Sequence, residues 1–348
     1  MPVSVIVGGQ FGSEGKGKTS LHIARTDPDV AAIIRVGGSN SGHVGIARNG
    51  DRIALRQLPA GALDGNHEVL LPAGSYIDVD LLFEEIERLN YDPCRIAISP
   101  FAHIITSEHK AWEARTKLRE AIGSTESGTG AAVLSRIARE GGDFPAAVLA
   151  EHISALQPFL KDVTAKARAL LDAGRRLIIE GTQGFGLSVI HAETWPKATS
   201  RDTTAAGFLA ESGLSPFDVD DVTLVLRCHP IRVAGRQSGP LPQETTWDAI
   251  ARTAGIDHNL TELTTVTQKP RRVGHFDAAI VRAAIRSNRP SRIVLNHLDY
   301  VVPDTAKGQM PHEAMEFVDR IAKEIGQEID WVGTSPSALL NYRAKSVA

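Results

Sequence analysis

Short runs of β-branched and aliphatic residues alternate along this chain with longer stretches in which apolar residues return every three or four positions. The short runs read as strands: Val3 to Val7, Ala32 to Val36, Val69 to Leu71, Arg95 to Ile98, Leu177 to Glu180, Val222 to Arg227, Arg292 to Asn296 and Ile329 to Val332. Several of them end in glycine or a polar residue. The longer stretches read as helices at Asp78 to Leu89, Ser107 to Ile122, Thr245 to Ala254, Phe276 to Ile285 and Pro311 to Ile325. The clearest period places Leu156, Phe159, Leu160, Val163, Ala167, Leu170 and Leu171 on one face of a helix from Leu156 to Leu171, with Gly174 as its stop. Strand and helix in alternation predict an α/β fold, a mostly parallel central sheet flanked by helices with long active-site loops, and ligands outside the carboxyl ends of the strands. No repeat, low-complexity tract or linker divides the sequence, so a single domain over residues 1–348 is expected.

Composition narrows the classes. With 348 residues, 42% of them hydrophobic and 23% charged, the chain can bury a large core. A net charge of −3 gives no whole-chain attraction to nucleic acid or anionic lipid, so any anion site must be built locally. Neither nucleic acid nor membrane is expected as a partner. Two distant cysteines, Cys94 and Cys228, without metal-like spacing, suit a reducing cytoplasm. No stretch reaches the roughly eighteen apolar residues of a membrane span, and the N-terminus has no signal-peptide core.

Candidate chemistry begins at GGQFGSEGKGKT, residues 8 to 19, directly behind the first strand. A strand, a glycine-dense turn and a helix from about Lys16 through Ala24 present several backbone N–H groups to phosphate oxygens, and Lys16 and Lys18 add charge. GSEGKGKT satisfies the Walker A pattern, which does not distinguish an ordinary P-loop from another phosphate cradle. A second cluster, GGSNSGH from Gly37 to His43, follows the second strand; at the end of a neighbouring strand it would bring Asn40 and His43 beside the first loop. There an imidazole is placed to donate to an oxygen gaining charge.

The two clusters together resemble the adenylosuccinate synthetases, whose loops usually read G-Q-W-G-D-E-G-K-G-K and G-G-H-N-A-G-H. The resemblance continues through STESGTG (124 to 130) with Arg139 beyond it, EGTQG (180 to 184), TSRDTTA (199 to 205), TVTQKPRRVGHFD (265 to 277), NHLD (296 to 299) and VGTSP (332 to 336), in a chain shorter than the usual cellular enzyme. It implies a Mg²⁺-dependent ligase that phosphorylates a purine O6 and then lets the amine of L-aspartate displace phosphate. By that resemblance Gly15, Lys16, Gly17 and Lys18 cradle the triphosphate, and Ser13 and the carbonyl of Gly42 hold the metal. His43 donates to O6 or the transferring group. Asn40, Thr125, Gln183 and Thr199 hold the purine monophosphate, and Arg139 reaches it from the second subunit of a homodimer. Thr265, Val266, Thr267 and Arg271 bind aspartate, with Arg271 also near the triphosphate. Lys269 stands where the family has an arginine that touches ribose and aspartate, which loosens the expectation of a ribose. The triphosphate's base is expected near Asn296, His297, Asp299, Gly333 and Ser335; His297 replaces the family's lysine, so an adenine nucleotide, ATP or dATP, is expected.

Position 13 departs most. The family's aspartate there removes the purine N1 proton; a serine hydroxyl is far too weak a base for that task. A compact neutral side chain instead leaves room for an exocyclic 2-amino group and can accept its hydrogen bond. Phage members of the family, the 2-aminoadenylosuccinate synthetases, carry serine here and act on dGMP, which makes dGMP the expected substrate. The alternatives are an enzyme that retains IMP, and a P-loop ATPase or nucleotide-regulated binding module.

Overall fold

The computed structural model describes residues 2–139, 141–264 and 268–343. Nine strands form its centre: β1 (Val3–Gly8), β2 (Val30–Arg35), β3 (Glu68–Leu71), β4 (Ile96–Ile98), β5 (Arg176–Glu180), β6 (Val219–Arg227), β7 (Arg292–Asn296), β8 (Trp331–Gly333) and β9 (Leu339–Asn341). Their spatial order is β9-β8-β7-β6-β1-β5-β2-β3-β4, parallel throughout except between β8 and β9. The α/β class read from the pattern is correct, and every expected strand is present. Around the sheet lie α1 (Lys16–Thr26), α2 (Val79–Leu89), α3 (Ser107–Arg115), α4 (Leu118–Ile122), α5 (Thr129–Ala138), α6 (Val163–Asp172), α7 (Ala205–Ser212), α8 (Trp247–Thr253), α9 (Ala278–Asn288) and α10 (His312–Ile325).

Because successive side chains of a strand point to opposite faces, a strand covered on both sides must be apolar throughout. Val3, Val5 and Val7 of β1 with Ala32 and Ile34 of β2 join Leu171, Phe208, Val281 and Val318 of α6, α7, α9 and α10 in one core. Ile6 and Ile33 point the other way, into a second core with Leu21 of α1 and Leu82 of α2. Each fully buried aliphatic side chain of this kind contributes about 1.5–3 kcal/mol.

Two expected helices are corrected. The segment from Leu156 to Leu171 is a 3₁₀ turn, Ser154–Phe159, followed by α6. Pro158 lies inside the turn, Leu160 bridges Ile98 at the sheet edge, and Asp162 accepts the Ala165 N–H as a fresh cap. The apolar period survives because the segment crosses between cores: Leu156 and Phe159 enter one, Val163, Ala167 and Leu171 the other. Ser107 to Ile122 is likewise two helices, broken where Lys117 turns left-handed at φ 55°. No helix of the described residues is long and apolar enough to cross a membrane.

The second glycine cluster follows β2, which is not adjacent to β1, since β5 lies between them. It reaches the first loop all the same. His43 opens a two-stranded hairpin, His43–Ile46 with Arg52–Leu55, rather than standing in a loop, and this hairpin packs on α1 where Gly17 has no side chain. A Cβ on Gly17 would come within 2.8 Å of the Cβ atoms of His43 and Ala60. Parallel strands thus deliver Gly8, Arg35, Glu180, Arg227, Asn296 and Gly333 to one edge of the sheet, where the chemistry gathers.

Candidate active site

A cleft of about 1570 Å³ runs across that edge. Its walls carry ten lysines and arginines against five carboxylates, so a chain of net negative charge presents a locally cationic site suited to phosphates and dicarboxylates. Ser13, Gly15, Lys16, Gly17, Lys18, Asn40, Gly42, His43, Thr125, Gln183, Thr199, Lys269, Arg271, His297, Asp299 and Ser335 all line it. Three other expected residues do not: Asn296, Gly333 and Arg139.

The first loop is held by its own carboxylate. Glu14, fully buried, accepts the N–H groups of Gly12 at 2.7 Å and Gln10 at 3.2 Å on Oε1, while Oε2 pairs with Lys16 Nζ at 2.6 Å. Gly8 and Gly184 permit this, since a Cβ on either would collide with the carboxylate. Glu14 is therefore committed to the loop and not placed as a base. Thr19, the hydroxyl residue of the Walker pattern, is buried and bonded to the Gly15 carbonyl at 3.1 Å, and Lys18 Nζ donates to the Ser335 carbonyl at 2.7 Å. Neither residue is arranged as in an ordinary P-loop, where that hydroxyl faces the metal. Ser13 itself sits at φ 56°, an unusual conformation for a residue with a side chain.

His43 faces a charged pair formed by strand ends. Its Nδ1 lies 2.6 Å from Glu180 Oε1 and 2.7 Å from Arg35 Nη1, and Arg35 Nη1 is 3.1 Å from the same carboxylate oxygen. A nitrogen this close to a carboxylate oxygen must carry the proton, so Nδ1–H donates to Glu180 and Arg35 serves the carboxylate. Glu180 also accepts the Ala60 and Gly61 N–H groups at 3.0 and 2.9 Å. Burial opposes its charge, but His43 and Arg35 outweigh it and bring the carboxyl down to about 2. Burial, then Arg35, push His43 down to about 4. Nε2 is buried with no partner among the described residues. The result is a neutral, oriented imidazole with one ring nitrogen spare; an anionic group beside it would favour the protonated, donating form.

Asn40, Thr125, Gln183 and Thr199 come from four separate loops to the same wall. Asn40 Nδ2 donates to Thr199 Oγ1 at 3.4 Å, Thr125 Oγ1 lies 3.1 Å from Ser127 Oγ, and Asn40 Oδ1 and Gln183 Oε1 are buried without partners among the described residues. Unpaired buried amide oxygens in a cleft are acceptors in search of a donor. Arg139, the exposed residue that follows α5, does not line the cleft. Glu113 is buried below it and accepts the Gly128, Gly130 and Ala131 N–H groups, which fixes the loop that carries Thr125.

At the opposite end, burial lowers Lys18 to about 8 against the pull of Asp299, and raises Asp299 to about 6 against the pull of Lys18. Burial, with Arg227, holds His297 neutral. Asn296 lies behind the wall, where its Nδ2 donates to the Glu14 carbonyl at 2.9 Å and ties β7 to the first loop. Gly333 stands behind Lys18 and Asn296, where any Cβ would collide with both. Arg271 lies at the mouth, its Nε donating to the Leu263 carbonyl at 3.1 Å. Thr265, Val266 and Thr267 lie outside the described residues. Among the described residues no cluster of three or more His, Cys, Asp or Glu side chains could hold a metal.

Motif reading passed over Glu180, Arg35, Arg227 and Glu113. The first three did leave a signal, a charge closing an apolar strand, as in LIIE, AAIIR and TLVLR.

A protein-family model described as adenylosuccinate synthetase matches residues 5–147 and 145–307. The adenylosuccinate synthetase of Thermococcus onnurineus is 36% identical over 346 residues, 97% of this chain and 96% of that protein; that of a Pyrococcus species is 35% identical over 344 residues with the same coverage. Among solved structures, cyanophage S-2L succinoaminodeoxyadenylate synthetase (PurZ), bound to dGMP and to dATP as an energy donor, matches with a TM-score of 0.80 at 28% identity, over 99% of this chain and 97% of that one. Fully ligated adenylosuccinate synthetase from Plasmodium falciparum matches with a TM-score of 0.85 at 21% identity, over 98% of this chain and all of the other, a likeness of fold. The chain belongs to the adenylosuccinate synthetase family, ligases that join aspartate through a new C–N bond.

Proposed function

We propose that this enzyme condenses L-aspartate with dGMP, driven by ATP or dATP, to give N6-succinyl-2-amino-2′-deoxyadenylate, a nucleotide precursor for DNA containing 2-aminoadenine. The observation that carries the reading is Ser13, a neutral residue lining the cleft in a loop whose one carboxylate, Glu14, has both oxygens occupied. An aspartate at this position would meet a guanine 2-amino group as a crowding anion; a serine accepts its hydrogen bond in less space. Support also comes from the phage synthetase that holds dGMP and dATP. The archaeal relatives at 36 and 35% identity favour the second reading, IMP as substrate.

In the proposed reaction O6 attacks the γ-phosphorus, the N1 proton passes to water or a phosphate oxygen, and ADP leaves. The aspartate amine then adds at C6 and phosphate departs. Lys16, released from Glu14, follows the phosphates, and His43, oriented by Glu180, donates from Nε2 to the oxygen that gains charge. The guanidinium of Arg271 receives a substrate carboxylate, with Lys269 beside it. The Ser13 hydroxyl and the Gly42 carbonyl are hard oxygen donors that would hold Mg²⁺, which would supply neutralisation of phosphate charge. A homodimer in which Arg139 enters the neighbour's cleft completes the proposal. It draws support from Ile137, an exposed apolar residue two positions before Arg139 that lies beside this chain's own cleft.

Mass spectrometry of the product tests the reading. Incubated with dGMP, aspartate, ATP and Mg²⁺, the protein should form the succinyl adduct of dGMP; adduct with IMP alone would replace dGMP by the second reading. ATP hydrolysis that ignores both aspartate and purine monophosphates would support a simple ATPase.

A further inference from the structure

Arg227 and Glu262 belong to none of the subsites above, yet they touch two of them. Arg227 closes β6 and is fully buried. Its Nη2 donates to Glu262 Oε1 at 2.6 Å, and its Nη1 donates both to Glu262 Oε2 at 3.3 Å and to the Ser13 carbonyl at 3.1 Å. Its main chain is bound too: Gln10 Oε1 accepts the Arg227 N–H at 2.9 Å, and Gln10 Nε2 donates to the Arg227 carbonyl at 3.1 Å. The first loop is thus fastened to the end of β6 on either side of Phe11 and Gly12. Ser13 needs that fastening, because a left-handed conformation at a residue with a Cβ persists only where its surroundings over-determine it.

The other end of the link is the segment that carries Arg271. The Glu262 carbonyl accepts the Arg271 N–H at 2.8 Å, and Arg271 Nε lies 4.0 Å from Glu262 Oε2. Burial disfavours the Glu262 charge, but Arg227, with Arg271 beyond it, overcomes burial and keeps the carboxylate ionised. A substrate carboxylate arriving at Arg271 changes the field at Glu262. Glu262 is bonded to Arg227, and Arg227 is bonded to Ser13.

The geometry points to Arg227 and Glu262 as positioning residues that couple the aspartate subsite to Ser13, so that occupancy of the amino-acid site and discrimination at the purine edge depend on one another. The inference rests on the reading of the cleft proposed above, but it needs only that aspartate meets Arg271 and that the purine meets Ser13. Coupling of this kind is a reciprocal property of two sites.

The test uses the full-length protein with Glu262→Gln, which keeps the size and one acceptor but deletes the charge, and Arg227→Lys, which offers one donor group to two acceptors. Measured quantities are kcat, KM for aspartate, the ratio of kcat/KM for dGMP to that for IMP, and the Kd of a non-hydrolysable ATP analogue. The expected result for Glu262→Gln is an aspartate KM about tenfold higher together with a purine ratio moved by at least about threefold, while the Kd of the ATP analogue stays within about twofold. A raised aspartate KM with an unchanged purine ratio would overturn the coupling, since Glu262 would then serve Arg271 alone. A lowered melting temperature with neither kinetic quantity changed would overturn it also. If Arg227→Lys fails to fold, Glu262→Gln alone decides. Wild-type protein that turns over only IMP shows the substrate reading to be wrong before any variant is made; KM for IMP then takes the place of the ratio.

Discussion

Glu180 Oε1 accepts the hydrogen bond of His43 Nδ1–H at 2.6 Å, with both side chains buried and the second imidazole nitrogen left without a partner among the described residues. The pair is assembled by topology, since Glu180 ends β5 and His43 begins a hairpin that folds back from β2. Donation from Nε2 is a transition-state contact, so His43→Ala should lower kcat by about 10²–10⁴-fold with little change in KM. The melting temperature should fall as well, because the buried Glu180 loses a donor. Glu180→Gln should also lower kcat, because the ring loses its orienting acceptor, and it should cost stability, because the Ala60 and Gly61 N–H groups lose an ionic acceptor. Steady-state kinetics with thermal denaturation of both variants checks the pair.

Ser13→Asp restores the carboxylate usual in the family. The added anion fills the space beside the purine C2, so kcat/KM for dGMP should fall at least about tenfold relative to IMP, the scale on which a site penalises a misplaced polar group. An unmoved ratio would place the purine edge elsewhere.

Lys18 and Asp299 share the far end of the cleft, away from the purine wall. Asp299→Asn removes the charge that opposes the burial of Lys18. The KM for the triphosphate should rise several-fold, about 1 kcal/mol or more, while the KM for the purine monophosphate holds. Equal shifts in both would show that Asp299 supports the whole cleft and not one subsite.

Buried histidines, His297 among them, weaken the fold in acid. Burial lowers His43 and His103 to about 4 and His229 to about 3, all below the ordinary 6.5. Between those values and 6.5 the unfolded chain binds more protons than the folded one, so stability falls as pH falls. Their full contribution is present above about pH 6.5 and is lost progressively towards pH 4 and below. Urea midpoints from pH 8 to pH 4 should stay level to about 6.5 and then drop.

Much of this arrangement was legible in the chain. Apolar runs located the sheet because strands covered on both faces have few polar positions to obscure them, as in Val69 to Leu71, whose side chains enter both cores. Glycine-dense loops located the cleft because strand ends and bare backbone are what a phosphate site requires. Less legible were the partners of the motif residues. Glu14 turns inward onto the Gly12 N–H and Lys16, partners that no pattern in the loop specifies. Asn296 looked like a base contact and instead ties β7 to the loop, since only the folded chain brings it 2.9 Å from the Glu14 carbonyl. The Leu156 to Leu171 period misled because two cores were read as one face. A better reading would treat a charge closing an apolar strand as a brace for the cleft's loops, which Arg35, Glu180 and Arg227 all are.

Direct competition between dGMP and IMP in one reaction, with aspartate, ATP and Mg²⁺, tests the substrate assignment most directly. With equal concentrations of the two nucleotides, the ratio of succinylated products equals the ratio of their kcat/KM values. A large excess of the 2-amino product is the result expected from a neutral Ser13 at the purine edge. A large excess of adenylosuccinate would contradict it, and would make this chain an IMP enzyme that tolerates serine where its family uses aspartate.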